Sequence, residues 1–162
     1  GAAVVRAEEG ELYPSVAGSD GTMGHVLACE SRVQNDWQQK EADRKTYIDM
    51  DGTAVFKFAV RKMPEMAKSL MTQMHCTEAD IDWFITHQAN ERIIEAIARR
   101  LKSDIAKFPM NIAECGNTSS ASIPILLDEM NRSGQLKDGQ KIIMAGFGAG
   151  LSWGAVYMEW HA

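Results

Sequence analysis

The chain lacks most features that would set it apart from an ordinary globular protein. Its three cysteines, Cys29, Cys76 and Cys115, are odd in number and far apart. No disulfide framework can be drawn from them, no close Cys or His pair offers a zinc site, and the usage fits a reducing, cytoplasmic compartment. No run of about eighteen apolar residues occurs and no basic-then-apolar leader stands at the start, so neither a helical membrane span nor secretion is expected. Basic residues are too few for a phosphate-gripping protein: 17 Lys and Arg against 22 Asp and Glu leave a net charge of -5, which argues against nucleic acid as a partner. No low-complexity segment calls for disorder. What is present is 162 residues, 45% hydrophobic and 24% charged, enough for one domain with its own core. The first residues, GAAVVRAEE, read as the tail of a strand without a methionine. The chain is therefore expected to be a piece of a longer protein.

The stretch IDWFITHQANER, residues 81–92, organises the rest. Ile81, Trp83, Phe84 and Ile85 form a short apolar run suited to a strand covered on both faces. From Asn90 the period changes. Ile93, Ile94, Ile97 and Leu101 recur at helical spacing, which places His87 and Gln88 at the carboxyl end of a strand, where open α/β sheets bind ligands. Arg92 and Arg99 project from the other side of that helix, with Arg92 one turn from the histidine, where an anionic ligand would pass.

Elsewhere the chain alternates strands, helices and loops. Residues 2–7 and 12–18 read as two strands of a hairpin, and residues 19–51 as loop with a short edge strand at 46–50. A long amphipathic helix runs from Thr53 to Met74, which Pro64 is expected to kink or divide, with its methionines filling core. Thr77 caps a helical turn before the central strand. Residues 108–112 are extended. The small-residue loop from Glu114 feeds a helix at 122–132 that stops before Gly134. Strands at 141–145 and 151–160 flank the turn Gly146-Phe147-Gly148-Ala149-Gly150 and are expected to form a hairpin at the edge of a mixed sheet. With no helix after those glycines, the turn is not a dinucleotide fingerprint.

Three loops thus converge on strand ends: His87 with Gln88, Asn117, and the glycine turn at Phe147. A histidine beside an asparagine supplies two neutral donors to a carbonyl oxygen that becomes an enolate, and backbone N–H groups at a glycine turn suit a second oxyanion. No nucleophile accompanies them. Cys115 adjoins Asn117 but has no strand-to-helix elbow.

THQANERI, then Asn117 in GNTSSAS thirty residues after His87, then GFGAGLSWGA, with DGTAVFKFAV at 51–60, closely resembles the carboxyl-terminal half of the beta-ketoacyl-acyl-carrier-protein synthase III family. The resemblance implies a thiolase-like α/β fold: a mixed five-stranded sheet flanked by helices, one half of a five-layered α-β-α-β-α arrangement. It implies a Cys-His-Asn triad of which His87 and Asn117 are two members, the cysteine lying in an amino-terminal half that this chain lacks. It further implies that Ala149 contributes to an oxyanion hole and that Phe147 lines the active site. Gln88, Ala89, Asn90, Glu91 and Arg92 correspond to the acyl-carrier-protein contact, and Gly52, Thr53 and Phe56 to the coenzyme A channel. No metal or resident cofactor is implied; a coenzyme A thioester is substrate. The expected reaction is decarboxylative condensation of an acyl-CoA primer with malonyl-acyl-carrier protein in a homodimer, with this chain inactive alone. The alternatives are a ketosynthase-like acyltransferase or a polyketide or quinolone starter enzyme, and a non-catalytic fragment that binds carrier protein.

Overall fold

The computed structural model describes residues 10, 12–29 and 47–161. The expected strand at 2–7, and with it the first hairpin, lies outside the described residues; among the described residues the main sheet has four strands where five were expected.

Among those described, six strands and four helices follow one another as β1 (Ser15–Ser19), β2 (Leu27–Ala28), β3 (Asp49–Met50), α1 (Gly52–Gln73), β4 (Trp83–Thr86), α2 (Glu91–Leu101), α3 (Ile112–Cys115), α4 (Ser122–Arg132), β5 (Lys141–Gly148) and β6 (Ser152–Glu159). The main sheet has the order β1-β6-β5-β4. β4 runs parallel to β5, whereas β5–β6 and β6–β1 are antiparallel. The β5–β6 hairpin therefore sits in the middle of the described sheet, not at its edge. Its flanks are taken by β1, which adds to β6, and by β4, which the crossover through α2 and α4 brings in parallel.

Side chains alternate along these strands, so the sheet has two buried faces. Phe84, Ile143, Ala145, Ala155 and Tyr157 pack with α1 and α2 in one cluster. Ile85 and Ile142 pack with Leu126 and Met130 of α4 in another. Each such fully buried aliphatic side chain is worth about 2 kcal/mol relative to an exposed one, which is why residues 83–85 are all apolar.

Helix α1 starts where Asp51 Oδ1 accepts from the backbone N–H groups of Thr53 (3.0 Å) and Ala54 (2.9 Å), satisfying two of the donors a helix start leaves open. Met63, Met66 and Met71 are buried in its core face. Pro64 lies inside the helix, yet the helix continues undivided to Gln73. The ring removes the N–H that would have bonded Val60 O, and the Arg100 guanidinium of α2 donates to that carbonyl instead at 3.3 Å.

The expected loop at 19–51 contains short elements. Asp20 accepts from the backbone N–H and the hydroxyl of Thr22 (3.0 and 2.6 Å) and opens a 3-10 turn over Gly21–Val26. β2 then pairs with β3. Residues 105–107 likewise form a 3-10 turn, and Ile112 begins α3 in place of extended chain.

Candidate active site

Parallel pairing carries one step past β4: the His87 N–H donates to Ala145 O at 2.9 Å. This fixes the histidine at the carboxyl edge of the sheet, beside Gly146, which with Phe147 and Gly148 prolongs β5 in place of the expected turn and leaves only Ala149 and Gly150 of that segment in it. Its ring stands edge-on to Phe147, centroids 5.7 Å apart, and Phe147 in turn meets Phe58 of α1. Nδ1 lies 2.7 Å from Ser122 Oγ, the hydroxyl at the first residue of α4. Burial holds the imidazole below its ordinary pKa, and its hydrogen-bond partner is a hydroxyl, not a carboxylate that would raise it. Both favour the neutral ring over the imidazolium.

His87 opens onto a cleft of about 1180 Å³, which Asn117, Phe147, Gly148 and Ala149 also line. Asn117 is exposed, and its Oδ1 accepts from Ser119 N–H at 2.9 Å. With the amide oxygen so engaged, the NH₂ group is the side-chain donor left for the cleft. Ala149 is exposed at the tip of the β5–β6 turn. The turn is braced from the other side. Asp20 N–H donates to Leu151 O at 2.8 Å, and the Ser19 and Ser152 hydroxyls meet at 3.0 Å. A side chain at Gly150, where φ is +136°, would come within 2.5 Å of Ser152 Oγ, so this position needs glycine. The three loops that the sequence singled out thus share one cavity.

The remaining expected residues divide. Gly52, Phe56, Ala89, Asn90 and Arg92 line the same cleft. Thr53 and Glu91 are exposed beside it without lining it. Gln88, expected to contact a carrier protein, is fully buried. Its Nε2 donates to Thr86 O (2.9 Å) and Pro109 O (3.4 Å), while Oε1 accepts from Asn111 N–H (3.3 Å). A carboxamide spent on three backbone groups holds the histidine loop to the segment before α3 and is out of reach of a docking partner. Cys115 fits no nucleophile's role: its Sγ faces Glu129 Oε1 at 3.7 Å, and burial together with that carboxylate pushes the thiol's pKa up.

The sequence reading missed the residues behind the site. Ser122 is buried and takes both His87 Nδ1 and the Gln88 N–H, the latter at 3.2 Å. Asn111 donates from its side chain to Glu129 Oε2 at 2.7 Å, tying α3 and the Asn117 loop to α4. Ser122 lay in the quoted GNTSSAS motif, but a serine opening a helix reads first as a cap. Among the described residues, no three of His, Cys, Asp and Glu are grouped to hold a metal ion, and no helix is long and apolar enough to cross a membrane.

Comparison with known proteins agrees with this geometry. The family described as 3-oxoacyl-[acyl-carrier-protein (ACP)] synthase III C terminal matches residues 71–160. Beta-ketoacyl-[acyl-carrier-protein] synthase III of Clostridium novyi (strain NT) is 44% identical over 163 residues, covering 99% of this chain and 50% of that protein. The crystal structure of 3-oxoacyl-(acyl carrier protein) synthase III from Pseudomonas aeruginosa PAO1 is similar with a TM-score of 0.84 at 35% identity, over 97% of this chain and 48% of that one. The corresponding Aquifex aeolicus VF5 structure gives 0.83 at 34% identity, over 96% and 46%. The chain spans about half the length of the relatives it matches. Its strand order, its histidine loop and more than half its sequence place it, on a thiolase-like α/β fold, in the family of 3-oxoacyl-acyl-carrier-protein synthase III carboxyl-terminal domains.

Proposed function

We propose that this chain is the carboxyl-terminal half of a condensing acyltransferase that joins an acyl primer to malonyl-acyl-carrier protein. The observation that carries the reading is the convergence of His87, Asn117 and the Ala149 turn on one cleft, where burial lowers the His87 pKa. The malonyl thioester enters with its carbonyl oxygen between the His87 Nε2–H and the Asn117 NH₂. The bond to the carboxylate breaks, CO₂ leaves, and the electron pair passes to that oxygen as an enolate, which two neutral donors stabilise more as charge develops than before. The enolate carbon then attacks the acyl group on the cysteine of the amino-terminal half. The tetrahedral oxyanion is held by backbone N–H groups, Ala149's among them, and the thiolate leaves as it collapses. No proton has to pass through His87 in the decarboxylation, so a depressed pKa is an asset.

The same reading assigns the cleft past Gly52 and Phe56 to the pantetheine arm of acyl-CoA or carrier protein. Arg92 is the cation that meets an acidic carrier helix. It also takes the complete enzyme to be a cytoplasmic homodimer. The hydrogen bonds that hold His87 through Ser122 and Gln88 favour catalysis over a carrier-binding module, which would not need an imidazole fixed in one orientation. A starter enzyme of another pathway on the same scaffold would share all of this and is separated by product analysis.

The test is Asn117→Ala in the complete protein. Malonyl decarboxylation is expected to fall about 10²- to 10³-fold, as when an oxyanion donor is lost, while acylation of the cysteine by acyl-CoA proceeds as in the wild type. Equal loss of both steps would remove Asn117 from the enolate site.

A further inference from the structure

We infer that Ser122 is a positioning residue, a hydroxyl clamp that fixes His87 as the tautomer protonated on Nε2 and aims that N–H into the cleft. The argument is one of proton accounting. Ser122 Oγ takes two hydrogen bonds among the described residues, to the Gln88 N–H at 3.2 Å and to His87 Nδ1 at 2.7 Å. An amide N–H only donates, so in the first of these Oγ is the acceptor. The hydroxyl proton then has one partner, Nδ1, and is delivered to it. If Nδ1 carried the proton instead, Oγ would accept twice and its own O–H would point at nothing. That arrangement leaves a buried donor unmet at a residue only 2% exposed.

The direction of the Gln88 N–H is set independently. Gln88 is fully buried, its carboxamide anchored to Thr86 O, Pro109 O and the Asn111 N–H, so the peptide between His87 and Gln88 is clamped on both sides. The other end of the clamp is as firm, because Ser122 opens α4, whose Leu126 and Met130 sit in the core beneath β4 and β5. Helix, strand end and imidazole are thereby locked through one oxygen. A serine serves where aspartate would not: a carboxylate could only accept, would select the opposite tautomer and would favour the imidazolium.

The catalytic consequence rests on the condensing-enzyme reading, but the tautomer does not. In the complete protein labelled with ¹⁵N-histidine, His87 resonances identified by their loss in His87→Gln should show Nε2 protonated and Nδ1 bare. Ser122→Ala should give a mixture of tautomers, lower the decarboxylation kcat about tenfold, the scale of one net hydrogen bond, and leave KM for the malonyl thioester within about twofold. A wild-type spectrum with Nδ1 protonated overturns the proposal whether or not the variant folds. So does a Ser122→Ala protein with an unchanged spectrum and unchanged kcat. If the wild type shows the expected tautomer but no malonyl decarboxylation, the clamp stands and the condensing reading falls.

Discussion

His87 illustrates how one residue's environment decides its chemistry. Half-buried against Phe147 and bonded to a hydroxyl, it titrates below its ordinary value. Between that lowered folded value and the unfolded value of about 6.5, the unfolded chain binds the extra proton and the folded chain does not, so stability rises with pH across that window and is level above it. The urea midpoint is therefore expected to fall as pH drops below about 6.5, and His87→Gln should flatten that part of the profile. An unchanged slope in the variant would show that another group carries the effect. The sequence announced His87, Asn117 and Phe147 because residue types and spacing sufficed. It did not announce the role of Gln88, since a polar residue beside a catalytic candidate reads as exposed, whereas here three backbone groups consume its whole carboxamide.

At the scale of the element, α1 shows why local rules mislead when a neighbour supplies what they lack. Pro64 should interrupt a helix because it orphans a carbonyl and crowds it. The helix continues because its partner α2 brings Arg100 to Val60 O at 3.3 Å. Removing that donor with Arg100→Met should cost about 0.5–1.5 kcal/mol, the net worth of one hydrogen bond. In a Pro64→Ala background the restored N–H serves Val60, so the same change should cost less. A urea double-mutant cycle measures the coupling, and zero coupling would mean that Val60 O does not depend on Arg100. The period of α1 and α2 was legible in the sequence, since apolar residues at three and four spacing need only a core to face. The 3-10 turn at Gly21–Val26 and the short strand β2 were not. Their stability comes from Asp20 capping Thr22 and from pairing with β3, not from any repeating pattern.

Over the whole molecule the balance of charge is acidic, -5, yet basic side chains gather where α1 and α2 meet. Arg92 and Arg99 line the main cleft, while Lys57, Arg61 and Arg100 line a smaller hollow of about 450 Å³ beside α1. The Arg99–Glu95 contact at 3.6 Å is an exposed pair of little energetic weight. A local basic rim on an acidic protein suits an acidic macromolecular partner that is steered in and then released. On the proposed function, Arg92→Glu should raise KM for malonyl-acyl-carrier protein about tenfold, with kcat and acylation by acyl-CoA nearly unchanged. The wild-type KM should also rise with salt more steeply than the variant's. A variant whose KM matched the wild type at low ionic strength would remove Arg92 from the docking surface.

By itself the sequence determined the alternation of strands and helices, the strand that ends at His87 and the identities of His87, Asn117 and the glycine turn. Each of these is written in residue type and short-range period, which the chain carries locally. Only the tertiary structure decided that the β5–β6 hairpin lies at the centre of the described sheet, that Arg100 repairs α1, and that Gln88 turns inward. It alone brought Ser122, 35 positions away, to His87. Strand order and buried hydrogen bonds depend on which distant groups are left to be satisfied once the core has closed.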